Sequence, residues 1–327
     1  MWKKSVGTYL VLASLVCGTV SADSIHGIWK GKFTAGNWKN TVVEAKIIAE
    51  SEGQYRFKFA AGTKGWLTVE IWGQGQGAIA VFVGQARLGN KFRGNYVVTA
   101  EAVNGVMTGS FYQNNHSKAE FKLSREDLKS PTLGMDAPTD ATVLFDGTDL
   151  DAWQPRQSHM AGGSMQINAK RDYISKEHFG SHKMHLEFMS PLMPDHHGQA
   201  RGNSGVYVLG RYEVQVLDSF GDPVADNHCG GIYSQSTPSV NACFPPETWQ
   251  TYDIIFTAPK FDNQGKKVKN ARITVIHNGI VIHDNVEMTA CTPGGVSGKE
   301  APTGPLFLQN HGDAVQFRNI WVQPVEN

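Results

Sequence analysis

Between Ile25 and about Leu123 apolar and polar residues alternate in eight short runs: GIWKGKF, TVVEAKIIAE, QYRFKFAA, WLTVEIWG, GAIAVFVG, KFRGNYVV, GVMTGSFY and KAEFKLS. A period of two sends successive side chains to opposite faces of an extended chain, so each run predicts a strand with one buried face. Glycine or asparagine turns separate them. The pattern predicts a small antiparallel β domain over residues 23–123, closed on itself as a barrel or folded as a sandwich. Residues 124–142, SREDLKSPTLGMDAPTDAT, break the alternation with Pro131, Gly134 and Pro138 and read as a linker. Strand patterns then resume over residues 143–327: TVLF, KMHLEFMS, SGVYVL, RYEVQVLD, GGIYS, QTYDIIFTA, ARITVIHNG, VIHDNVEM, PLFLQN and VQFRNIWVQPV. That many strands predict two packed sheets of jelly-roll type, an architecture in which one sheet often curves around a ligand. No long helical stripe interrupts, so the fold class is all-β.

Composition agrees with that reading. The chain has 327 residues, enough for two domains at roughly 150 residues each, with 35 glycines and only 18% charged residues. Lys and Arg number 30, as do Asp and Glu, so no excess charge recruits nucleic acid or an anionic membrane. The glycines at 73, 75 and 77 miss the spacing of a dinucleotide loop and predict a hairpin turn instead. Residues 1–22 read as an export signal: Lys3 and Lys4, the apolar run YLVLASLVCG, then Val20, Ser21 and Ala22. Cleavage after Ala22 would make the protein periplasmic or secreted. The apolar run is shorter than the roughly 20 residues of a membrane span, and Val16 is too large for a lipoprotein site before Cys17. In an oxidising compartment Cys229 and Cys243, which flank one glycine- and proline-containing excursion, are expected to form a disulfide, leaving Cys291 unpaired. No cysteine spacing fits a structural zinc site.

The second domain carries polar residues two apart on several strands: His185 and Glu187, Glu213 and Gln215, Gln309 and His311. Each pair shares one face of its strand. If those faces coincide, they form a row of acids, amides and imidazoles across a sheet; if not, they are the water-facing half of an antiparallel sheet. Tyr207, Tyr212, Trp153 and Trp249 lie near them in sequence. Aromatic faces stack on sugar rings while carboxylates and amides bond hydroxyls, so the mixture predicts carbohydrate. In RYEVQVLD the spacing of Glu213, Gln215 and Asp218 resembles the acidic strand of retaining glucanases, whose two carboxylates stand roughly 5 Å apart. The central carboxylate is an amide here, which argues against ordinary glycoside hydrolysis. The doublet His196–His197 diverges on a strand and reads as a solvated loop, and His277 and His283 read as structural.

Four segments, LFDGTDLDAW, RGNSGVYVLGRYEVQVLDSFG, CGGIYSQSTPSVNACFPPETWQTYDIIF and GPLFLQNHGDAVQFRNIW, resemble the 3-keto-disaccharide hydrolase, or 3-keto-glucoside 1,2-lyase, family over about residues 140–325. The resemblance implies a concanavalin-like jelly roll acting on glycosides already oxidised to a ketone at C3, with a sugar 3-dehydrogenase supplying them. A C3 ketone acidifies the hydrogen on C2, so elimination of the C1 substituent needs a base, a stabiliser for the enolate and a proton for the leaving group. The expected roles are Glu213 as base, tuned by Glu187 or Asp218; Arg201 and His311 on the carbonyl, with His311 also protonating the leaving oxygen; Asn203, Gln215 and Gln309 on hydroxyls; and Trp249 or Tyr207 as a stacking face. The residues identify no definite cofactor, and a divalent ion on the enolate is left open. Two other readings stand beside this one, a non-catalytic carbohydrate-binding module with the same face and an adhesion or scaffold domain that binds no sugar.

Overall fold

The structure is a computed structural model that describes residues 25–62, 67–88, 93–154, 159–167 and 171–325. The expected export signal and Cys17 lie outside the described residues. Strands β1 (Gly27–Gly36), β2 (Val42–Ser51), β3 (Gln54–Ala61), β4 (Leu67–Gln76), β5 (Ile79–Leu88), β6 (Gly94–Val103), β7 (Val106–Gln113) and β8 (His116–Arg125) follow each other around a closed antiparallel barrel. The glycine-rich run is the β4–β5 hairpin, as its spacing predicted. Closure is decided by the inward residues of the alternation. Trp29, Phe33, Phe57, Phe59, Phe82, Phe111 and Phe121 are all buried, and the Phe33 ring has Trp38, Phe59, Phe111 and Phe121 within 5.1–6.2 Å. Aromatic rings at these spacings fill the barrel as a packed core.

The second domain is a two-sheet sandwich. Its strands are β9 (Thr142–Phe145), β10 (Trp153–Gln154), β11 (His159–Ala161), β12 (Ser164–Gln166), β13 (Tyr173–Phe179), β14 (His182–Met189), β15 (Ser204–Val208), β16 (Tyr212–Val216), β17 (Gln250–Thr257), β18 (Lys260–Phe261), β19 (Lys267–Lys269), β20 (Ala271–His277), β21 (Ile280–Met288), β22 (Gly304–Asn310) and β23 (Gln316–Pro324). The smaller sheet has the order β10-β13-β22-β15-β16. The larger runs β11-β12-β23-β14-β17-β20-β21, with β9 beside β23. Met184, Leu186 and Phe188 of β14 and Tyr252, Ile254 and Phe256 of β17 meet Val206, Val208, Val214, Val216, Leu306 and Leu308 of the smaller sheet in one core. The intervening residues of each strand therefore face outward, away from the opposite sheet.

Residues 126–141 are laid over the outer face of the larger sheet. Ser130 and Thr251 share a hydroxyl bond of 2.6 Å, Thr132 Oγ1 donates to Asp253 Oδ2 at 2.7 Å, the Gly134 amide donates to Glu187 Oε1 at 2.6 Å, and Asn319 Nδ2 donates to Met135 O at 3.0 Å. The barrel is docked at the end of the sandwich where β14 finishes and β15 begins. Ile48 of β2 packs into the sandwich core. Arg201 Nη2 donates to Ala49 O at 2.9 Å, Lys58 Nζ to Gly221 O at 2.8 Å, and Arg56 pairs with Asp222 at 3.2 Å.

The expected disulfide is absent. Cys229 and Cys243 are buried free thiols, brought together as neighbours that also hydrogen-bond each other. Tyr252 Oη donates to Gln215 O at 2.7 Å, so the Cys229 thiol is the donor to that hydroxyl at 3.3 Å, and Cys243 Sγ donates to Phe244 O at 3.2 Å. His277 is fully buried, its imidazole pushed down to about 3 by burial, with Nε2 3.0 Å from Gln250 Oε1; His283 Nε2 lies 2.8 Å from Gly230 O.

Candidate functional site

The outward face of the smaller sheet holds one polar cluster. Antiparallel register sets Tyr207 of β15 opposite Glu213 of β16 and Phe307 of β22, and Gly205 opposite Gln215 and Gln309. Two cross-strand rows result: Phe307, Tyr207, Glu213, and beside it Gln309, Gly205, Gln215. Gly205 is what lets them close up. A β-carbon built there would lie 2.3 Å from Glu213 Oε1 and 2.9 Å from the Tyr207 ring. With only hydrogen at that position, the Glu213 side chain folds across the strand toward its neighbours.

Tyr207 Oη has one proton and two acceptors within reach, Glu213 Oε2 at 2.8 Å and Pro293 O at 2.9 Å, and it accepts from Gln309 Nε2 at 3.1 Å. The Gln215 amide, turned so that its nitrogen faces β15, donates to Ser204 O at 2.7 Å and to Glu213 Oε1 at 3.1 Å. Segments 230–233 and 292–296 run along the free edge of β16. The Gln215 backbone N–H donates to Gly231 O at 2.9 Å, and the Glu213 backbone N–H to Thr292 Oγ1 at 2.9 Å. Gly294 passes so close over Tyr207 that a β-carbon would stand 2.7 Å from the hydroxyl. Glu213 is thereby only 3% exposed. Burial pushes its carboxyl up to about 7 against the opposing pull of the Tyr207 hydroxyl. Burial likewise raises the Tyr207 phenol, which stays protonated.

Further along the same face Asn203 Nδ2 donates to Gln199 O at 2.7 Å, and Gln199 also adjoins the Gln215 amide at 3.0 Å. Asn203 Oδ1 and Gln309 Oε1 are buried acceptors without a donor. Buried amide oxygens are nearly always satisfied, so two free ones beside a poised carboxyl mark where a ligand's hydroxyls would bond.

Glu213, Gln215, Gln309, Tyr207 and Asn203 thus come together, and the other predicted residues do not. Glu187 is on the outward face of the larger sheet, so the whole sandwich core separates it from Glu213. There its carboxylate accepts from the Gly134 amide, Arg318 Nε at 2.6 Å and Asn319 Nδ2 at 3.1 Å. Burial alone would raise it, but His185, Asn319, Gly134 and Arg318 outweigh that and hold it down at about 2. Trp249 belongs to the same outer cluster, with the Arg318 guanidinium 3.9 Å above its ring. His185 bonds Asp253 through Nδ1 at 2.6 Å and stacks on Trp321. The alternation correctly paired these residues within strands, but it could not say that β14 and β16 lie in different sheets.

Arg201 and Asp218 are close to the site but turned to each other, at 2.7 Å, with the second arm of Arg201 on Ala49 O. Neither tunes Glu213 nor reaches an open carbonyl site. Tyr207 offers no stacking face, because its ring is buried against Phe307 at 4.8 Å and its hydroxyl serves Glu213. His311 is exposed just beyond β22. His196 and His197 are exposed too, and His197 Nδ1 lies 3.6 Å from Glu50. Among the described residues no group of three or more His, Cys, Asp and Glu side chains is arranged to hold a metal ion. The residues missed from the sequence are Gly205 and Gln199. A glycine inside a strand pattern signals close approach and could have flagged the first; the loop residue Gln199 carried no signal.

Residues 140–323 match the 3-keto-alpha-glucoside-1,2-lyase-like domain. The chain belongs to this family. The lyase-like domain is therefore the sandwich, and the barrel with most of the linker lies outside the match. A crystal structure of a candidate glycosyl hydrolase from Parabacteroides distasonis is 39% identical over 58% of this chain and 85% of its own, with a TM-score of 0.54. A second one from the same organism is 17% identical over 57% of this chain and 94% of its own, with a TM-score of 0.41. No curated protein matches the chain. Family and neighbour together make the lyase-like domain a carbohydrate-active enzyme with a β-sandwich fold. No described helix is long and apolar enough to cross a membrane.

Proposed function

We propose that this lyase-like domain cleaves 3-keto-glycosides by elimination, with Glu213 as the base. The observation that carries the reading is the Glu213 carboxyl itself, buried, poised at about 7 and bonded to a tyrosine hydroxyl beside unsatisfied amide oxygens. A general base works best when its pKa lies near the operating pH. Glu213 takes the proton from C2; the C–H electron pair becomes the C2–C3 enolate, and its collapse expels the C1 substituent. Tyr207 suits both states of the base. It donates to the ionised carboxylate, and once Glu213 is protonated it turns its hydrogen to Pro293 O and accepts from the acid. Asn203 Oδ1 and Gln309 Oε1 receive sugar hydroxyls, and water protonates the leaving oxygen. Water adding to the unsaturated product would make the net reaction a hydrolysis. The C3 ketone has to be installed beforehand by an oxidation of the glycoside, in the same exported compartment that the N-terminal signal would give.

A double-displacement glycosidase is less well supported, because the second acidic residue of the strand, Asp218, is turned to Arg201. The test is incubation with 3-keto-trehalose and a 3-keto-aryl-glucoside, following release of the C1 substituent. Wild type should release it, with kcat/KM rising through an apparent pKa near 7, and Glu213→Gln should lower the rate by roughly 10²–10⁴-fold while still binding the sugar. Inert wild-type protein that nonetheless binds saccharide would make the domain a binding module, and an active Glu213→Gln would remove Glu213 from the chemistry.

A further inference from the structure

Where the mouth of the barrel meets the sandwich there is a cavity of about 490 Å³. It is distinct from the Glu213 face. Its walls come from the barrel through Asn104 and Arg125, from the linker through Asp127 and Leu133, and from the segment before β17 through Glu247 and Trp249. Most of that wall lies outside residues 140–323, so the lyase-like domain alone would not form it.

We infer that this interdomain cavity is a second binding site, and that its ligand is a neutral saccharide of one or two rings. Size permits it, since small-molecule sites run from roughly 300 to 1,000 Å³ and favour domain interfaces. Side-chain chemistry narrows the class. The side chains of Asn104, Arg125, Asp127 and Glu247 make no hydrogen bond or ion pair with any described residue. Arg125 can only donate, Asp127 and Glu247 can only accept, and Asn104 does both. A ligand satisfying all four must donate and accept in many directions, as hydroxyls do. The two unpaired carboxylates against one guanidinium disfavour an anion such as a uronate or a phosphate, and an apolar ligand would leave all four groups desolvated. Trp249 adds an aromatic surface of the kind that packs on sugar rings. That surface is preorganised: Glu187 accepts from Arg318 Nε at 2.6 Å, and the Arg318 guanidinium sits 3.9 Å above the indole, fixing it from one side. At the lip, Glu247 is held at φ 61° with its amide donating to Ser190 O at 2.9 Å, a left-handed conformation uncommon for a glutamate.

The test is calorimetric titration of the full chain with maltose and cellobiose, neither of them oxidised, with glucuronate as the charged control. Wild type and Glu213→Gln should bind one of the disaccharides equally well and glucuronate more weakly. Trp249→Ala and Asp127→Ala should each weaken binding by about tenfold, and Trp249→Phe should keep most of it. Asp127 is exposed, so its variant guards against a misfolded tryptophan variant, and turnover of a 3-keto-aryl-glucoside should be unchanged in it. Absence of disaccharide binding, wild-type affinity in both Trp249→Ala and Asp127→Ala, or loss of binding confined to Glu213→Gln would overturn the assignment. Because unoxidised sugars are titrated, the result stands whether or not the Glu213 face cleaves 3-keto-glycosides.

Discussion

Glu213 has an ordinary carboxyl whose behaviour is set by what surrounds it. Burial raises it from 4.5 to about 7, so the folded state holds the proton longer than the unfolded chain does. For this group the linkage runs against stability. Below 4.5 both states are protonated and nothing is lost; between 4.5 and 7 the unfolded chain ionises first and the fold weakens; above 7 the loss is complete. In the proposed role of base, the same burial that costs stability brings the carboxyl into the neutral range. The geometry depends on an absent side chain. Gly205→Ala would set a methyl 2.3 Å from Glu213 Oε1 and force the carboxylate off Tyr207. Activity should then fall by roughly 10²-fold or more, which steady-state kinetics would show. Circular dichroism should show the sheet intact.

At the scale of elements, the stretch between the domains is a strap. The pattern of prolines and small polar residues from 124 to 142 is that of a flexible connector, yet its amides and hydroxyls are received by an outward row of β14, β17 and β23. Glu187 is the main anchor, and its sign is opposite to that of Glu213. Its folded carboxyl lies at about 2 against 4.5 in the unfolded chain, so its contribution is present above 4.5 and lost as pH falls toward 2. Glu187→Gln leaves Arg318 and the Gly134 amide without their acceptor charge. Thermal melts at neutral pH should show a loss of about 2–3 kcal/mol. In urea melts at pH 3 the gap between variant and wild type should narrow.

Across the whole molecule, the barrel braces the sandwich beside the site. Ile48 is a barrel residue buried in the sandwich core, and Arg201, next to the loop that carries Gln199, holds both Asp218 and the barrel's Ala49 carbonyl. Ile48→Ala should destabilise the sandwich by about 2–4 kcal/mol, read as a lowered melting temperature. Limited proteolysis should cut the 196–203 loop faster in this variant than in wild type. Barrel and sandwich are each legible from alternation, because packing within a sheet depends on residues near in sequence or on a period of two. Their docking is not, since it rests on single residues such as Ile48 and Arg201 that look like any strand apolar or loop cation.

The sequence by itself determined the strands, the all-β class, the family, and the shared face of Glu213 and Gln215, because a strand's period assigns a face to every residue on it. Which faces meet was decided only in three dimensions. His185 and Glu187 show the same two-residue spacing as Glu213 and Gln215, yet one pair roofs the sandwich under the linker while the other lies beside Tyr207. Cys229 and Cys243 arrive side by side as free thiols. Strand order and the course of loops set these outcomes, and neither is written in the local pattern of hydrophobic and polar residues.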